Sequence, residues 1–363
     1  VTYLPEGTIL LRNLIDRAAK AERFIFLEYF ILAEGKLWDE LEKILCAKAR
    51  EGVEVKIIFD DFGNIKRFSG ETIDRLREVG VEVFIFNPVH EYVNRLHFNY
   101  RDHRKIACID GDVAYTGGVN IADEYANLIE RFGYWKDSGV CLEGEGAWGL
   151  TASFIRMCVN LGGVMHNEHD YYRPHTPVKS EGFCQPFTDG PQNNPDNPAE
   201  DVFLQMISGA RRFLYITTPY FIPDESLMRA LCIAGDGGVD VRLMLPGKPD
   251  HWYADCVAES YFGELIKHGV KVYRYTPGFL HGKSIMVDRE AAFVGSANMD
   301  YRSFELDYEC GVMVYSAPMI ESLLEDMDMI VDRSHLVTAE EWAKRSVLRR
   351  VFEPLLRLFA IWM

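Results

Sequence analysis

The sequence predicts an α/β protein made of two similar halves, each a mainly parallel or mixed sheet flanked by helices and packed about a pseudo-twofold. Three observations carry this. First, apolar strand-like runs alternate with helical periodicity along the chain, the pattern of sheets wrapped by helices. Second, the order repeats: GVEVKIIFD at 52–60 is echoed by GVDVRLMLP at 238–246, GVEVFIFNP at 80–88 by GVKVYRYTP at 269–277, and EYFIL at 28–32 by PYFIP at 219–223. Third, one polar phrase occurs twice, as HRKIACIDGDVAYTGGVN from His103 and as HGKSIMVDREAAFVGSAN from His281. A repeat of half the chain length marks a duplicated domain and not a solenoid. At 363 residues and 48% hydrophobic composition, the chain can bury two ordinary cores.

In chain order, residues 23–32 are a nearly continuous apolar run, as expected of a strand covered on both faces. A helix is expected over 36–51, stopped by Gly52, then strand 53–59, helix 71–79 and strand 81–86. The motif segments 103–109 and 112–116 read as strands. Residues 163–200, rich in Pro, Asn, Gly, Asp and His, read as a connection with little regular structure. The second half repeats the first, with strand 213–217, helix 224–234, strand 239–245, helix 252–268, strand 270–275 and motif strands 283–287 and 291–294. The expected division is 1–162, 163–200, 201–337 and a tail at 338–363.

Both copies of the phrase fit His-x-Lys-x4-Asp-x6-Gly-[Gly/Ser]-x-Asn, with every matched pair 178 positions apart. Side chains alternate along a strand, so His103 and Lys105 project together, as do His281 and Lys283. Asn120 and Asn298 follow Gly-Gly and Gly-Ser turns, where backbone N–H groups can also face an anion. Two ammonium groups and two amides converging form a cradle for a phosphodiester. They neutralise developing charge without a metal or other cofactor. One neutral histidine can then attack phosphorus while the other, protonated, donates to the departing oxygen. Asp137 and Glu309, at equivalent places on a later strand, are expected to orient the imidazoles. Asp110 and Asp288 complete the catalytic motif, although alternation turns them away from the histidines and favours a turn-stabilising role. A single such motif arises by chance. Two intact copies at identical spacing point to one site made from both halves.

Other positions are less specific. Tyr29 and Tyr220 sit at equivalent strand ends and are candidates for the channel wall. Asp250-His251 follows a strand end, where ligands gather in α/β folds. Arg302 and Ser303 are placed to touch phosphate or brace the sheet. His166, His169 and His175 lack a metal-ligand spacing and read as a polar loop.

The formal net charge of −16 argues against a nucleic-acid partner, which would need a basic groove. Eight cysteines without a CxxC pair favour a reducing compartment. No stretch approaches the ~20 apolar residues of a membrane span, and no signal peptide is visible. The chain starts at Val1 without Met, which is compatible with removal of an upstream segment. In the tail 339–363, Leu348, Val351, Phe352, Leu355, Phe359 and Trp362 recur at helical spacing. Lys344, Arg345, Arg349, Arg350 and Arg357 add positive charge. This reads as an interfacial amphipathic helix, split by Pro354, that contacts a membrane surface; a helix packed on the core is the alternative.

The duplicated motif resembles that of the phospholipase D superfamily. The phrases RDHRKIACIDGDVAYTGGVNIADEY, YWKDSGV, TTPYFIPDESL, LPGKPDH, GFLHGKSIMVD and GSANMDYRSFELDYE resemble bacterial cardiolipin synthases over nearly the whole chain. The resemblance implies the phospholipase D-like fold and transfer of a phosphatidyl group between two phosphatidylglycerol molecules, with release of glycerol. It implies a phosphohistidine on His103, with His281 as acid and base; the residues alone leave that order open. It also implies anionic phospholipid partners and a place at the bacterial cell membrane, with the cysteines favouring the cytoplasmic side. A phospholipase D-type hydrolase is the alternative, and a non-catalytic lipid-binding scaffold is a third reading. Two features depart from the family: Asp307 stands where members often carry Asn, and their N-terminal membrane helices are absent from this chain.

Overall fold

The computed structural model describes residues 1–89, 99–167, 170–179, 182–191, 197–346 and 356–357. The FIFLEY run forms the fully buried strand Phe24–Tyr29. It pairs in parallel with Glu54–Asp60, which pairs in parallel with Glu82–Phe86. On its other side it pairs antiparallel with Lys105–Ile109, followed outward by Val113–Gly117 and Gly139–Glu143. The second half repeats this order. Phe213–Thr217 pairs in parallel with Asp240–Pro246 and that with Lys271–Tyr275, while Ser284–Val287, Ala291–Gly295 and Asp307–Tyr315 follow antiparallel. The repeat seen in the sequence is thus a repeat of mixed sheet topology.

Each sheet is covered outside by amphipathic helices. Lys36–Arg50 buries Leu37, Trp38, Leu41 and Leu45, a one-sided stripe that caps the first sheet. Glu225–Asp236 does the same for the second through Leu227, Met228 and Leu231. The inner sheet faces share a further core. Phe26, Ile106 and Val140 of the first half and Met286, Val294 and Val312 of the second lie in one cluster. Helices Glu145–Asn160 and Met319–Asp332 contribute Leu150, Phe154, Leu323 and Met327 to it.

The halves are also joined by a buried polar tie. Lys136 Nζ donates to both Asp326 carboxylate oxygens at 2.7 and 2.9 Å, and the Tyr3 hydroxyl donates to the same carboxylate.

Three sequence expectations change. The strand expected over 23–32 ends at Tyr29, because side-chain amides take over the backbone: Ile31 N–H donates to Asn120 Oδ1 and Leu32 N–H to Asn64 Oδ1. The motif strands start at Lys105 and Ser284, so both histidines lie just before them. Strand alternation is therefore not what places each histidine beside its lysine. The segment 163–200 contains the strand Phe183–Asp189, paired antiparallel with Asp307–Tyr315. Its Pro186 hid the pattern, and an edge strand tolerates proline. No described helix is long and apolar enough to cross a membrane.

Candidate active site

Two short parallel ladders between the halves build the site. Tyr134–Lys136 pairs with Gly278–Leu280, with Lys136 opposite Leu280. The next residues in each strand direction are Asp137 and His281, which this register brings side by side. Likewise Arg101–Asp102 pairs with the start of Asp307–Tyr315, with Asp102 opposite Tyr308, so His103 meets Glu309. The backbone N–H of His281 donates to Lys136 O at 2.7 Å, and that of His103 to Tyr308 O at 2.9 Å.

The side chains complete the crossing. His281 Nδ1 lies 2.6 Å from Asp137 Oδ2, and His103 Nδ1 lies 2.8 Å from Glu309 Oε1. Each half's carboxylate holds the other half's imidazole. The carboxylates are themselves fixed: Ser138 N–H donates to Asp137 Oδ1 at 2.8 Å, and the Ser296 hydroxyl donates to Glu309. The Gly/Ser difference between the two motif turns follows from this. A Cβ at Gly118 would lie 2.2 Å from Asp137 Oδ1, whereas at the equivalent Ser296 the side chain is a partner of the carboxylate.

Both lysines are buried beside their histidines. Lys283 Nζ lies 3.0 Å from each ring nitrogen of His281 and donates to the His281 carbonyl at 2.6 Å. Lys105 Nζ donates to the His103 carbonyl and sits 5.5 Å from the Phe30 ring centroid. Tyr125, Trp135 and Phe279 surround the His281 ring, and Phe30 packs edge-on to His103.

Burial and the neighbouring ammonium groups push the imidazoles down, to about 4 for both His103 and His281, against the attraction of their carboxylates. Burial also lowers Lys105 to about 8 and Lys283 to about 7. Burial alone would raise Asp137 and Glu309. Their histidine partners and the lysines outweigh it and hold both below the usual range. The resting site therefore has neutral imidazoles against ionised carboxylates near neutral pH.

Both histidines line one cavity of about 750 Å³, together with Asn120, Asn298, Tyr125 and Trp135. Asn120 is braced, accepting from Ile31 N–H and donating to the Tyr125 hydroxyl. Asn298 Oδ1 has no hydrogen-bond partner. Tyr220, Asp250, His251 and Arg302 also line the cavity, whereas Tyr29 is packed in the first core. Ser303 braces the turn, accepting from Asn298 N–H. His103, Asp307 and Glu309 bring ligand atoms within 4.8 Å of one another, the one such trio among the described residues.

Asp110 and Asp288 are the exception within the motif. Asp110 accepts from the N–H groups of Glu22, Arg23 and Phe24, and Asp288 from those of Arg211, Arg212 and Phe213. Both have positive φ, 54° and 53°, at the tight turn after the motif strand. They anchor the start of the central strand of each sheet and do not reach the cavity, so their place among the catalytic residues is corrected to a structural one. Trp135, Tyr125 and Phe30 were not singled out from sequence. Trp135 was within reach as the residue two before Asp137, but its contact with His281 crosses between the halves.

The family pattern described as "Cardiolipin synthase, PLD-like domain" matches residues 11–130 and 203–331. Cardiolipin synthase 2 of Bacillus anthracis is 36% identical over 98% of this chain and 69% of its own length.

The chain belongs to the cardiolipin synthase family of phospholipase D-like proteins.

Another relative of this cardiolipin synthase family member, an uncharacterized protein of Streptococcus mutans, is 37% identical over 99% of the chain and 78% of its own length. In fold, the chain is similar to phosphatidylserine synthase of Haemophilus influenzae, with TM-score 0.73 at 15% identity, covering 99% of this chain and 92% of that one. As a member of the cardiolipin synthase family the chain is an enzyme.

Proposed function

We propose that the enzyme makes cardiolipin by transferring a phosphatidyl group between two phosphatidylglycerol molecules. The observation that carries this reading is that two carboxylate-anchored histidines line a single cavity. With each Nδ1 held by a carboxylate, Nε2 is the nitrogen that meets substrate, that of His281 with Lys283 Nζ 3.0 Å away. In the first step His103 Nε2 attacks phosphorus, the bond to the glycerol oxygen breaks, and protonated His281 gives that oxygen its proton. Glycerol leaves and a phosphohistidine remains. In the second step neutral His281 takes the proton of a hydroxyl on the second phosphatidylglycerol. The oxygen attacks phosphorus, the P–N bond breaks and His103 is restored. The choice of His103 as nucleophile rests on family resemblance. Lys105, Lys283, Asn120 and Asn298 would hold the phosphoryl oxygens. An anion between the lysines offsets the charge that depresses His281, which favours its protonated form when substrate is bound.

The rim supports a lipid substrate. Phe62, Ile65 and Tyr253 border the cavity and are 57%, 47% and 37% exposed, and Trp252 beside them is 63% exposed. Arg67 and Arg131 border the same cavity. Both arginines pair with Glu124, which leaves the collar mainly apolar, as suits contact with a bilayer surface. The tail proposed for membrane contact lies largely outside the described residues; of it, Leu356 packs on the second core and Arg357 sits 4.0 Å from the Tyr261 ring centroid. We place the enzyme on the bacterial membrane, on the cytoplasmic side, which eight cysteines without a CxxC pair favour. Nucleic acid is not an expected partner of so acidic a chain.

Labelled phosphatidylglycerol in liposomes tests the proposal. Cardiolipin with glycerol, formed equally in the presence of a chelator, is the expected result. Phosphatidic acid with glycerol would make the enzyme a hydrolase, and no turnover would refute both.

A further inference from the structure

The cavity wall carries both buried donors and buried acceptors. Around the histidines stand buried donors: Lys105, Lys283 and the Trp135 indole N–H, which has no hydrogen-bond partner. The same wall carries acceptors, Asp307 among them within 4.8 Å of His103. Asp250 Oδ1 and Asn298 Oδ1 are buried and make no hydrogen bond, Asp307 Oδ1 is buried with the Arg302 guanidinium 3.2 Å away as its ion-pair partner, and all three residues line the cavity. Asp307 and Asn298 are only 5% and 7% exposed. Orphaned buried acceptors are costly, and two lining one space indicate a ligand that supplies donors.

We propose that Asp250, Asn298 and Asp307 form a subsite that reads the hydroxyl groups of a polyol headgroup. The assignment rests on the phosphodiester chemistry proposed above and adds which residues select the headgroup. A hydroxyl donates once and accepts, so it needs acceptors with donors beside them. This wall supplies both. Asp250 Oδ2 already accepts from the Tyr220 hydroxyl at 2.6 Å, and Arg302 Nη2 stands 3.2 Å from Asp307 Oδ1. Burial, reinforced by Glu309 and Asp300 against Arg302, raises Asp307 above the usual carboxylate range. A lipid headgroup held there would have its phosphodiester between the two histidines.

The test compares headgroup release by the full chain from detergent-dispersed phosphatidylglycerol, phosphatidylpropanol and phosphatidylethanolamine. Wild type should prefer the glycerol lipid over the propyl lipid by about tenfold or more, the value of hydroxyl contacts to buried polar groups. Asp250→Ala and Asp307→Ala should each erase most of that preference through KM for the glycerol lipid, while their turnover of the propyl lipid stays within about threefold of each other. Asp307→Asn, which keeps an acceptor, should retain the preference and guards against a folding artefact. An unchanged preference in both alanine variants, or a wild-type preference for ethanolamine, would overturn the subsite. Failure of wild type on all three lipids would instead refute the phosphodiester chemistry, and the subsite with it.

Discussion

His103 Nδ1 lies 2.8 Å from Glu309 Oε1, so the imidazole of one half is oriented by a carboxylate 206 positions later in the other. The reciprocal pair, His281 and Asp137, has the same crossing. Glu309→Gln and Asp137→Asn should each lower kcat by about 10²–10⁴-fold, as expected when a catalytic histidine loses the group fixing its tautomer. His103→Gln and His281→Gln should abolish turnover. Steady-state rates on phosphatidylglycerol vesicles check this, and a loss under tenfold for the carboxylate variants would contradict the assigned roles.

Stability should fall on mild acidification. Both imidazoles titrate at about 4 in the fold, below the ~6.5 of an unfolded chain. As pH drops through that window the unfolded chain takes up protons that the folded one refuses. The contribution is complete above ~6.5 and is lost toward about 4. Urea midpoints measured between these values should decline, and the His103→Gln, His281→Gln double variant should flatten the decline.

A soluble phosphodiester, singly charged throughout the range, should bind best at low pH. Lys283 and Lys105 shed protons at about 7 and 8, so the cavity loses positive charge as pH rises through those values. At ten times Kd the ligand should add about 1.4 kcal/mol to stability. Calorimetry should show proton uptake on binding, and Lys105→Met or Lys283→Met should remove most of the affinity.

Asp110→Ala and Asp288→Ala should destabilise without slowing chemistry. Each removes a carboxylate serving three backbone N–H groups. A cost of about 2–3 kcal/mol is expected for stranding such donors. Denaturant unfolding measures the loss. A kcat within about threefold of wild type, read at a temperature where the variants stay folded, would support a purely structural role.

The collar should govern membrane binding. Trp252→Ser and Phe62→Ser should each weaken binding to anionic vesicles by about tenfold, from ~1.5 kcal/mol or more of lost apolar burial. Vesicle sedimentation reads this directly, and turnover of a water-soluble phosphodiester should change far less.

The duplicated order of strands and the pairing of His103 and His281 in one site were legible in the sequence, because residue type and spacing carry them. The crossed carboxylates were legible only as candidates. Alternation speaks about one strand, and the partner of His281 is set by the ladder between Tyr134–Lys136 and Gly278–Leu280, which joins segments far apart in the chain. Asp110 and Asp288 share the motif's spacing but serve the turn, a distinction visible in their facing and obscured by grouping the motif as one catalytic unit. The strand Phe183–Asp189 was hidden because composition in that stretch reads as a connector.

The ladders that stitch the halves together run directly beside the histidines. Prising the seam open to let in a two-tailed lipid sideways would unhook both imidazoles at once. Under the proposed chemistry, a headgroup entering through the cavity mouth leaves both ladders closed.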